Sequence, residues 1–126
     1  MHERILVVDD EVSFTHVVKR GLELLGHYEV REENSSPNAV SAARQFRPHL
    51  ILMDLMMPEM NGLEVATQLK KDQDLSGTPV LFVTAAPLTD GVPEGFGAQA
   101  QEYPFLAKPV HFETLLARVR EQIQAH

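Results

Sequence analysis

Several short apolar runs in this sequence end at side chains that could take part in chemistry. Each run is bounded by turn signals, which predicts a strand buried on both faces, as in a parallel sheet. The carboxyl ends of parallel strands share one edge of a sheet, and ligands bind at that edge in open α/β sheets. The side chains that we expect to meet there are Asp9, Asp10, Asp54, Thr84 and Lys108.

Three of these side chains are carboxylates, which repel one another when close and raise the pKa of at least one of them. A hard divalent cation relieves that repulsion, and oxygen ligands in a chain without cysteine favour Mg²⁺. A carboxylate could then attack phosphorus and form an aspartyl phosphate, whose oxygens Lys108 and Thr84 would stabilise. The structural alternative is that Asp9, Asp10 and Glu11 only favour the start of a helix through its dipole.

The composition fits one compact domain, which we expect to span residues 1–126. A net charge of −7 argues against direct contact with nucleic acid or an anionic membrane, because both need clustered Lys and Arg. The sequence has no apolar run of transmembrane length and no signal-peptide pattern at its start. The absence of cysteine fits a reducing cytoplasm, so we expect a cytoplasmic protein.

Strands and helices are expected to alternate along the chain. The predicted strands are Ile5–Val8, Tyr28–Glu33, Leu50–Met53, Pro79–Val83 and Tyr103–Ala107. The first helix ends at Gly26, and its apolar residues are Phe14, Val17, Val18, Leu22 and Leu25. Further helices are expected over Ala39–Phe46, from Gly62 to about Lys71 and from about Phe112, and a polar loop is expected over Asp72–Pro79. With short connections and right-handed crossovers, this order predicts a doubly wound α/β fold with a five-stranded parallel sheet.

The segment from Pro87 to Gly97 is the least regular part of the sequence. Its prolines and glycines disfavour a long helix, because they cost roughly 3 and 1 kcal/mol respectively in a helix interior. At most a short helix is expected here, over Ala98–Glu102. Pro104 lacks a backbone donor, which places the fifth strand at a sheet edge.

The motifs along the chain resemble, in order, those of the response regulator receiver domain of two-component signalling. The matching pieces are Val7–Glu11 (VVDDE), Met53–Pro58 (MDLMMP) with Asn61 and Gly62, Val83–Ala86 (VTAA), and Lys108 with Pro109. The resemblance implies a CheY-like, flavodoxin-like fold with sheet order 2-1-3-4-5. Its fourth helix would here be short or irregular.

The resemblance also implies a role for each site residue. Asp54 would be the phosphoacceptor, and Mg²⁺ would be held by Asp9, Asp10, Asp54 and the backbone carbonyl of Met56. Thr84 and Lys108 would contact the phosphoryl group, and the Lys108–Pro109 bond would be cis. The switch residues would be Thr84 and the aromatic Phe105, with Tyr103 as a second candidate for which core packing is the preferred interpretation.

The implied function is that of a signalling switch in a phosphorelay. The partners would be a sensor histidine kinase or phosphotransfer protein, and a downstream effector protein or an output domain absent from this chain. The domain would catalyse its own phosphorylation and slow dephosphorylation, without being an enzyme that releases a turnover product. Direct contact with nucleic acid and membrane insertion are not expected.

Two other functions fit part of the motif set. A Mg²⁺-dependent phosphatase with an aspartyl nucleophile typically has a second Asp two residues after the first, a position that Met56 occupies here. A pseudo-receiver that never takes phosphate is disfavoured by the complete set of acids, Thr and Lys. One departure affects the output: if residues 87–102 are mobile or remodelled, the usual dimer or target surface is altered and an unusual partner is expected.

Overall fold

The computed structural model of this protein describes residues 2–125, in which helices and strands alternate. The strands are β1 (Arg4–Val8), β2 (Glu29–Glu33), β3 (Leu50–Met53), β4 (Val80–Thr84), β5 (Leu88–Thr89), β6 (Val92–Pro93) and β7 (Phe105–Ala107). The α-helices are α1 (Val12–Gly26), α2 (Ala39–Phe46), α3 (Gly62–Lys71) and α4 (Phe112–Gln124). Short 3-10 helices cover Ser36–Asn38 and Ala98–Glu102.

Five of the strands form a parallel sheet in the order β2-β1-β3-β4-β7. This is the predicted 2-1-3-4-5 order, with β7 as the fifth strand, so the predicted fold class is confirmed. The central strands β1, β3 and β4 are buried almost throughout, which explains why they read as continuous apolar runs. The strand order reverses between β1 and β3, which brings their carboxyl ends side by side.

The residues of each strand alternate between two hydrophobic layers. In β1, Leu6 and Val8 pack into the layer that contains α2 and α3 residues, while Ile5 and Val7 pack into the layer of α1 and α4. β3 and β4 alternate in the same way. Both faces of the sheet are therefore covered by hydrophobic layers, and only its edges are open to a ligand.

The connection between β4 and β7 differs from a helical crossover, as the Pro and Gly content predicted. A two-stranded antiparallel hairpin, β5 with β6, is followed by the 3-10 helix Ala98–Glu102. The hairpin itself was not predicted, although Asp90 and Gly91 between two short strands are a strong local hairpin signal. Both turn residues have positive φ, 54° and 78°, which suits a type I′ turn.

Three smaller expectations need correction. β7 begins at Phe105 and not at Tyr103, because Pro104 has no N–H to donate to the ladder. Val17 and Leu25 of α1 are exposed, at 67% and 61%, because α4 and β2 cover only part of that helix. Leu75, in the segment predicted as a polar loop, is 2% exposed and belongs to the core.

Candidate functional site

Backbone hydrogen bonds past the strand ends bring the predicted site residues together. The N–H of Asp9 donates to the carbonyl of Glu33, and the N–H of Asp54 donates to the carbonyl of Val8. The N–H of Lys108 donates to the carbonyl of Thr84 at 2.8 Å. Asp9, Asp54 and Lys108 therefore each continue the ladder by one position, which places their side chains at the carboxyl edge of the sheet.

Three carboxylates meet at this edge. One oxygen each from Asp9, Asp10 and Asp54 lies within 4.8 Å of the other two, and among residues 2–125 this is the one group of three or more such side chains that could hold a metal ion. Asp9 and Asp54 are buried, at 1% and 8% exposure, while Asp10 is open to solvent. Carboxylate oxygens at these separations are a donor set that suits a hard cation such as Mg²⁺.

Asp54 carries the strongest electrostatic conflict in the group. Burial raises the pKa of its carboxyl above the ordinary value of 3.8, and the nearby negative charge of Asp9 raises it further. The ammonium of Lys108, the N–H of Met56 and the hydroxyl of Thr84 oppose that rise without cancelling it. A cation bound beside Asp54 would relieve the conflict.

Lys108 is the cation of the site. Its Nζ lies 2.7 Å from Oδ2 of Asp9, 3.6 Å from Oδ2 of Asp54 and 3.9 Å from Oε1 of Glu11. Burial lowers the pKa of the ammonium, but the hydrogen bond to Asp9 and the surrounding carboxylates outweigh it, so the net pKa is raised. The lysine is therefore charged at neutral pH and tethered to the acidic cluster.

The loop after β3 is held against Asp54. The N–H of Met56 donates to Oδ1 of Asp54 at 3.3 Å, and the N–H of Gly62 donates to the carbonyl of Leu55 at 2.8 Å. A Cβ on Gly62 would lie 2.4 Å from the carbonyl oxygen of Asp54. Only glycine lets α3 begin this close to the site.

The predicted switch residues lie on β4, on β7 and just before β7. Thr84 is fully buried, and its hydroxyl oxygen accepts from the N–H of Ala86 at 3.2 Å. The ring of Phe105 stacks on that of Phe82, with centroids 4.8 Å apart. Tyr103 packs edge-on against Phe82 at 5.3 Å, and its buried hydroxyl has no hydrogen-bond partner. Both candidate aromatics therefore pack in the core beside β4.

Two contributors to the site were not predicted. The ring of Phe14 lies 4.1 Å from Nζ of Lys108, although the sequence presented Phe14 only as one apolar residue of α1. The side-chain amide of Asn34 donates to the backbone carbonyl of Asp9 and to the hydroxyl of Thr15, each at 2.9 Å. No sequence pattern predicts either contact, because the first depends on the position of α1 and the second on the position of the residues that follow β2.

Other expectations concern the surroundings of the site. The Lys108–Pro109 peptide bond, expected to be cis by the resemblance, is cis in the structure. The side chains of Asp9 and Glu11 do not cap α1: Glu11 occupies the cap position without a side-chain cap bond. None of the helices between residues 2 and 125 combines the length and hydropathy needed to span a bilayer.

Comparisons with known proteins converge on one family. The family model described as the response regulator receiver domain matches residues 5–120. The chain is 36% identical over 93% of its length to the DNA-binding dual master transcriptional regulator RpaA of Synechocystis, covering 47% of that protein. It is 38% identical over 92% of its length to protein PilH of Pseudomonas aeruginosa, covering 93% of it. The chain thus spans about half the length of RpaA and nearly all of PilH.

A solved structure supports the same assignment of the fold. The chemotaxis protein CheY4 of Vibrio cholerae superposes with a TM-score of 0.84 at 26% identity, covering 96% of this chain and 98% of that protein.

Proposed function

Because the chain belongs to the response regulator receiver domain family, we propose that it accepts a phosphoryl group on Asp54 and changes its protein contacts in response. The observation that carries this proposal is the meeting of Asp54 with two further carboxylates and the ammonium of Lys108. The donor would be a histidine kinase or a phosphotransfer protein, as for other members of two-component systems. We also propose a cytoplasmic location, which rests on the family.

The proposed reaction is a displacement at phosphorus. A carboxylate oxygen of Asp54 attacks the phosphoryl group of a phosphohistidine, the P–N bond breaks, and the imidazole leaves with the electron pair and takes a proton. The attacking group must be ionised, which the ammonium of Lys108 and the N–H of Met56 favour, although burial and the charge of Asp9 keep the net pKa of Asp54 raised. The domain positions these groups for a single transfer and releases no turnover product.

Asp9, Asp10, Asp54 and the backbone carbonyl of Met56 would hold Mg²⁺. When bound, the ion supplies charge neutralisation for the carboxylates and for the phosphoryl oxygens. Lys108 would turn from Asp9 toward the phosphoryl group as a point charge, and the hydroxyl of Thr84 would donate to a phosphoryl oxygen. This hydrogen bond would shift Thr84 on β4 and thereby alter the packing of Phe105. Tyr103 is the second switch candidate.

The output is proposed to pass through protein contacts or through an output domain joined to this one. The net charge of −7 disfavours direct binding of nucleic acid by this domain, although the relative RpaA is a DNA-binding regulator. The hairpin and 3-10 helix between β4 and β7 present a surface unlike that of a regular helix. We therefore propose that the partner recognises this altered surface.

The test is phosphorylation by acetyl phosphate in the presence of Mg²⁺, followed by intact-mass spectrometry. We expect one added phosphoryl group that is stable to acid and labile to base, lost in Asp54→Ala and in EDTA. Asp74→Ala removes an exposed carboxylate on the loop after α3 and should leave the mass gain intact. A folded, Mg²⁺-binding protein that gains no mass, from acetyl phosphate or from a phosphorylated kinase, would be a pseudo-receiver and would contradict the proposal.

A further inference from the structure

Phe14 lies in the first turn of α1, and its ring faces the ammonium of Lys108. The distance from Nζ to the ring centroid is 4.1 Å, within the range of a cation–π interaction. We propose that Phe14 is a positioning residue for phosphoryl transfer: its ring holds the Lys108 ammonium beside Asp54. This inference rests on the proposed function, because it assigns Phe14 a part in the same reaction.

The other contacts of the ammonium explain why a neutral partner matters. Nζ lies near the carboxylates of Asp9, Asp54 and Glu11, and Asp9 is much the closest, at 2.7 Å. Two of these carboxylates belong to the acidic cluster, so their effective charge changes whenever a cation or a phosphoryl group binds there. The attraction of an aromatic ring does not depend on those charges. Phe14 can therefore hold the lysine when its ion pair with Asp9 is weakened.

The position of the ring is itself well fixed. The N–H of Phe14 donates to the carbonyl of Glu11 at 3.1 Å, which anchors the start of α1 just past the acidic residues. The side chain is half-buried and packs against the hydrophobic layer of α1 and α4. It also lines a mainly apolar cavity of about 430 Å³ together with Lys108, Val110 and Phe112. This apolar wall reduces the hydration of the ammonium on one side, which strengthens a cation–π contact.

A purely structural role for Phe14 predicts different behaviour from a positioning role. If the ring only fills space, Phe14→Leu lowers stability and has little effect on chemistry, and the result does not depend on Lys108. If the ring positions the lysine, the effect follows aromatic character and vanishes when Lys108 is absent. A double-mutant cycle separates the two cases, because it isolates the interaction between the two side chains.

The experiment measures the rate of phosphorylation by acetyl phosphate in Phe14→Leu and Phe14→Tyr. We expect Phe14→Leu to be slower than the wild type by roughly three- to thirtyfold, the range of a partly desolvated cation–π contact. Phe14→Tyr keeps a π face and should restore most of the rate. In a Lys108→Met background, Phe14→Leu should cause no further loss.

Phe112→Leu is the matched control. Phe112 lines the same cavity and packs on Gly21 of α1, so its truncation removes comparable packing. It should lower the melting temperature as Phe14→Leu does, while the phosphorylation rate stays near that of the wild type. A direct readout is the NMR shift of the Lys108 ε-methylene protons, which the Phe14 ring current should move upfield and Phe14→Leu should return.

The outcomes distinguish the inference from the function on which it rests. The inference is overturned, with the function intact, if the wild type is phosphorylated on Asp54 and Phe14→Leu matches its rate. It is also overturned if Phe14→Leu lowers the phosphorylation rate by the same factor in the Lys108→Met background as in the wild type. A chemical shift of the Lys108 ε-methylene protons that does not change in Phe14→Leu overturns it as well. Wild-type protein that binds Mg²⁺ but gains no phosphoryl group from any donor overturns the proposed function, and the positioning role fails with it.

Discussion

The ammonium nitrogen of Lys108 lies 2.7 Å from Oδ2 of Asp9 but 3.6 Å from Oδ2 of Asp54. The lysine therefore pairs with the more deeply buried carboxylate and only approaches the proposed phosphoacceptor. This arrangement leaves Asp54 with incomplete charge compensation, although both carboxylates share the same edge of the sheet. The consequences for stability and for cation binding can be measured separately.

Asp54→Asn should stabilise the metal-free protein at neutral pH. Burial, followed by the charge of Asp9, raises the folded-state pKa of Asp54 above 3.8. Between 3.8 and that raised value the folded state binds more protons than the unfolded state, so ionisation of Asp54 lowers stability as pH rises through this window. Thermal unfolding in EDTA should show no advantage of Asp54→Asn below the window and a constant advantage above it.

The control for this measurement is Asp74→Asn, which neutralises a carboxylate that is 65% exposed. Its stability should follow that of the wild type within about 0.5 kcal/mol across the same pH range. An advantage of Asp54→Asn that is independent of pH would contradict the electrostatic explanation, because it would indicate altered packing and not removal of a buried charge.

Asp10→Asn should weaken Mg²⁺ binding without lowering the stability of the metal-free protein. Asp10 is exposed, so its neutralisation should change the free energy of unfolding by no more than about 0.5 kcal/mol. It is also one of the three clustered carboxylates, and loss of a ligand charge should reduce Mg²⁺ affinity roughly tenfold or more. The measurement is the melting temperature as a function of Mg²⁺ concentration, since a ligand of the folded state raises it.

Glu11→Gln provides the comparison for Asp10→Asn. Glu11 follows Asp10 directly and is similarly open to solvent, with 60% of its side chain exposed, but it lies outside the three-carboxylate cluster. Its Mg²⁺ titration should stay close to that of the wild type. Equal weakening in both variants would mean that general negative charge, and not a defined ligand set, attracts the cation.

Much of the fold was predictable because strands and site residues follow local rules. Buried parallel strands have uninterrupted apolar sequences, and the carboxyl ends of parallel strands lie at the same edge of the sheet. Those two facts place Asp9, Asp54 and Lys108 together without any knowledge of side-chain contacts. Pro104 likewise indicated an edge strand, and β7 is at the edge.

The remaining features depend on packing that the sequence pattern does not encode. The preference of Lys108 for Asp9 and its contact with Phe14 depend on rotamers and on the position of α1. Leu75 is an isolated apolar residue in a polar stretch, so periodicity could not predict its burial. The hairpin at Asp90 and Gly91 is different, because these two residues are a local turn signal, although the hairpin was not predicted.

Gly62→Ala should destabilise the protein and disturb the site. The added Cβ would lie 2.4 Å from the carbonyl oxygen of Asp54 and 2.7 Å from Cε1 of Phe82. The backbone contact cannot be relieved by a side-chain rotation, so we expect a loss of about 1–3 kcal/mol in unfolding free energy. Phosphorylation should also slow, because relief of the clash must move Asp54 or the start of α3.

Gly77→Ala is the matched control for this substitution, since its Cβ would meet nothing within 4 Å. Its stability should remain within about 0.5 kcal/mol of the wild type. Urea unfolding of both variants gives the two free energies directly. Similar values for the two would show that the loop after β3 is soft enough to accept a side chain, contrary to the close approach of Gly62 to the carbonyl of Asp54.

Hydrogen exchange should distinguish the segment between β4 and β7 from a regular helix. Its regular backbone structure is limited to the short ladder of β5 and β6, which pairs Thr89 with Val92, and the 3-10 helix Ala98–Glu102. We therefore expect isolated slow amides at those positions, in contrast to the continuous protection of α3. Continuous helix-like protection over 87–102 would contradict the remodelled connection.

Gly91→Ala tests the hairpin of β5 and β6 in the same hydrogen-exchange measurement. A Cβ there meets nothing within 4 Å, but φ is +78°, a conformation that disfavours any residue with a Cβ. The substitution should therefore weaken the ladder between Thr89 and Val92 with little effect on the protection of α3. Loss of protection throughout the sheet would instead indicate that the hairpin is needed for the stability of the whole domain.

Phe105, and not Tyr103, should respond first to occupation of the site. Phe105 lies within β7, which pairs with β4, and its ring stacks on Phe82 of that strand. Tyr103 precedes the strand and lies five residues before Lys108, which at about 3.3 Å per residue puts it far along the chain from the phosphoryl group. Addition of beryllofluoride and Mg²⁺ should therefore shift the ring resonances of Phe105 more than those of Tyr103.

Thr84→Ala should remove most of the Phe105 response, whereas Thr84→Ser, which keeps the hydroxyl, should preserve it. A larger response at Tyr103 that persists in Thr84→Ala would transfer the switch role to Tyr103 and to the adjoining 3-10 helix.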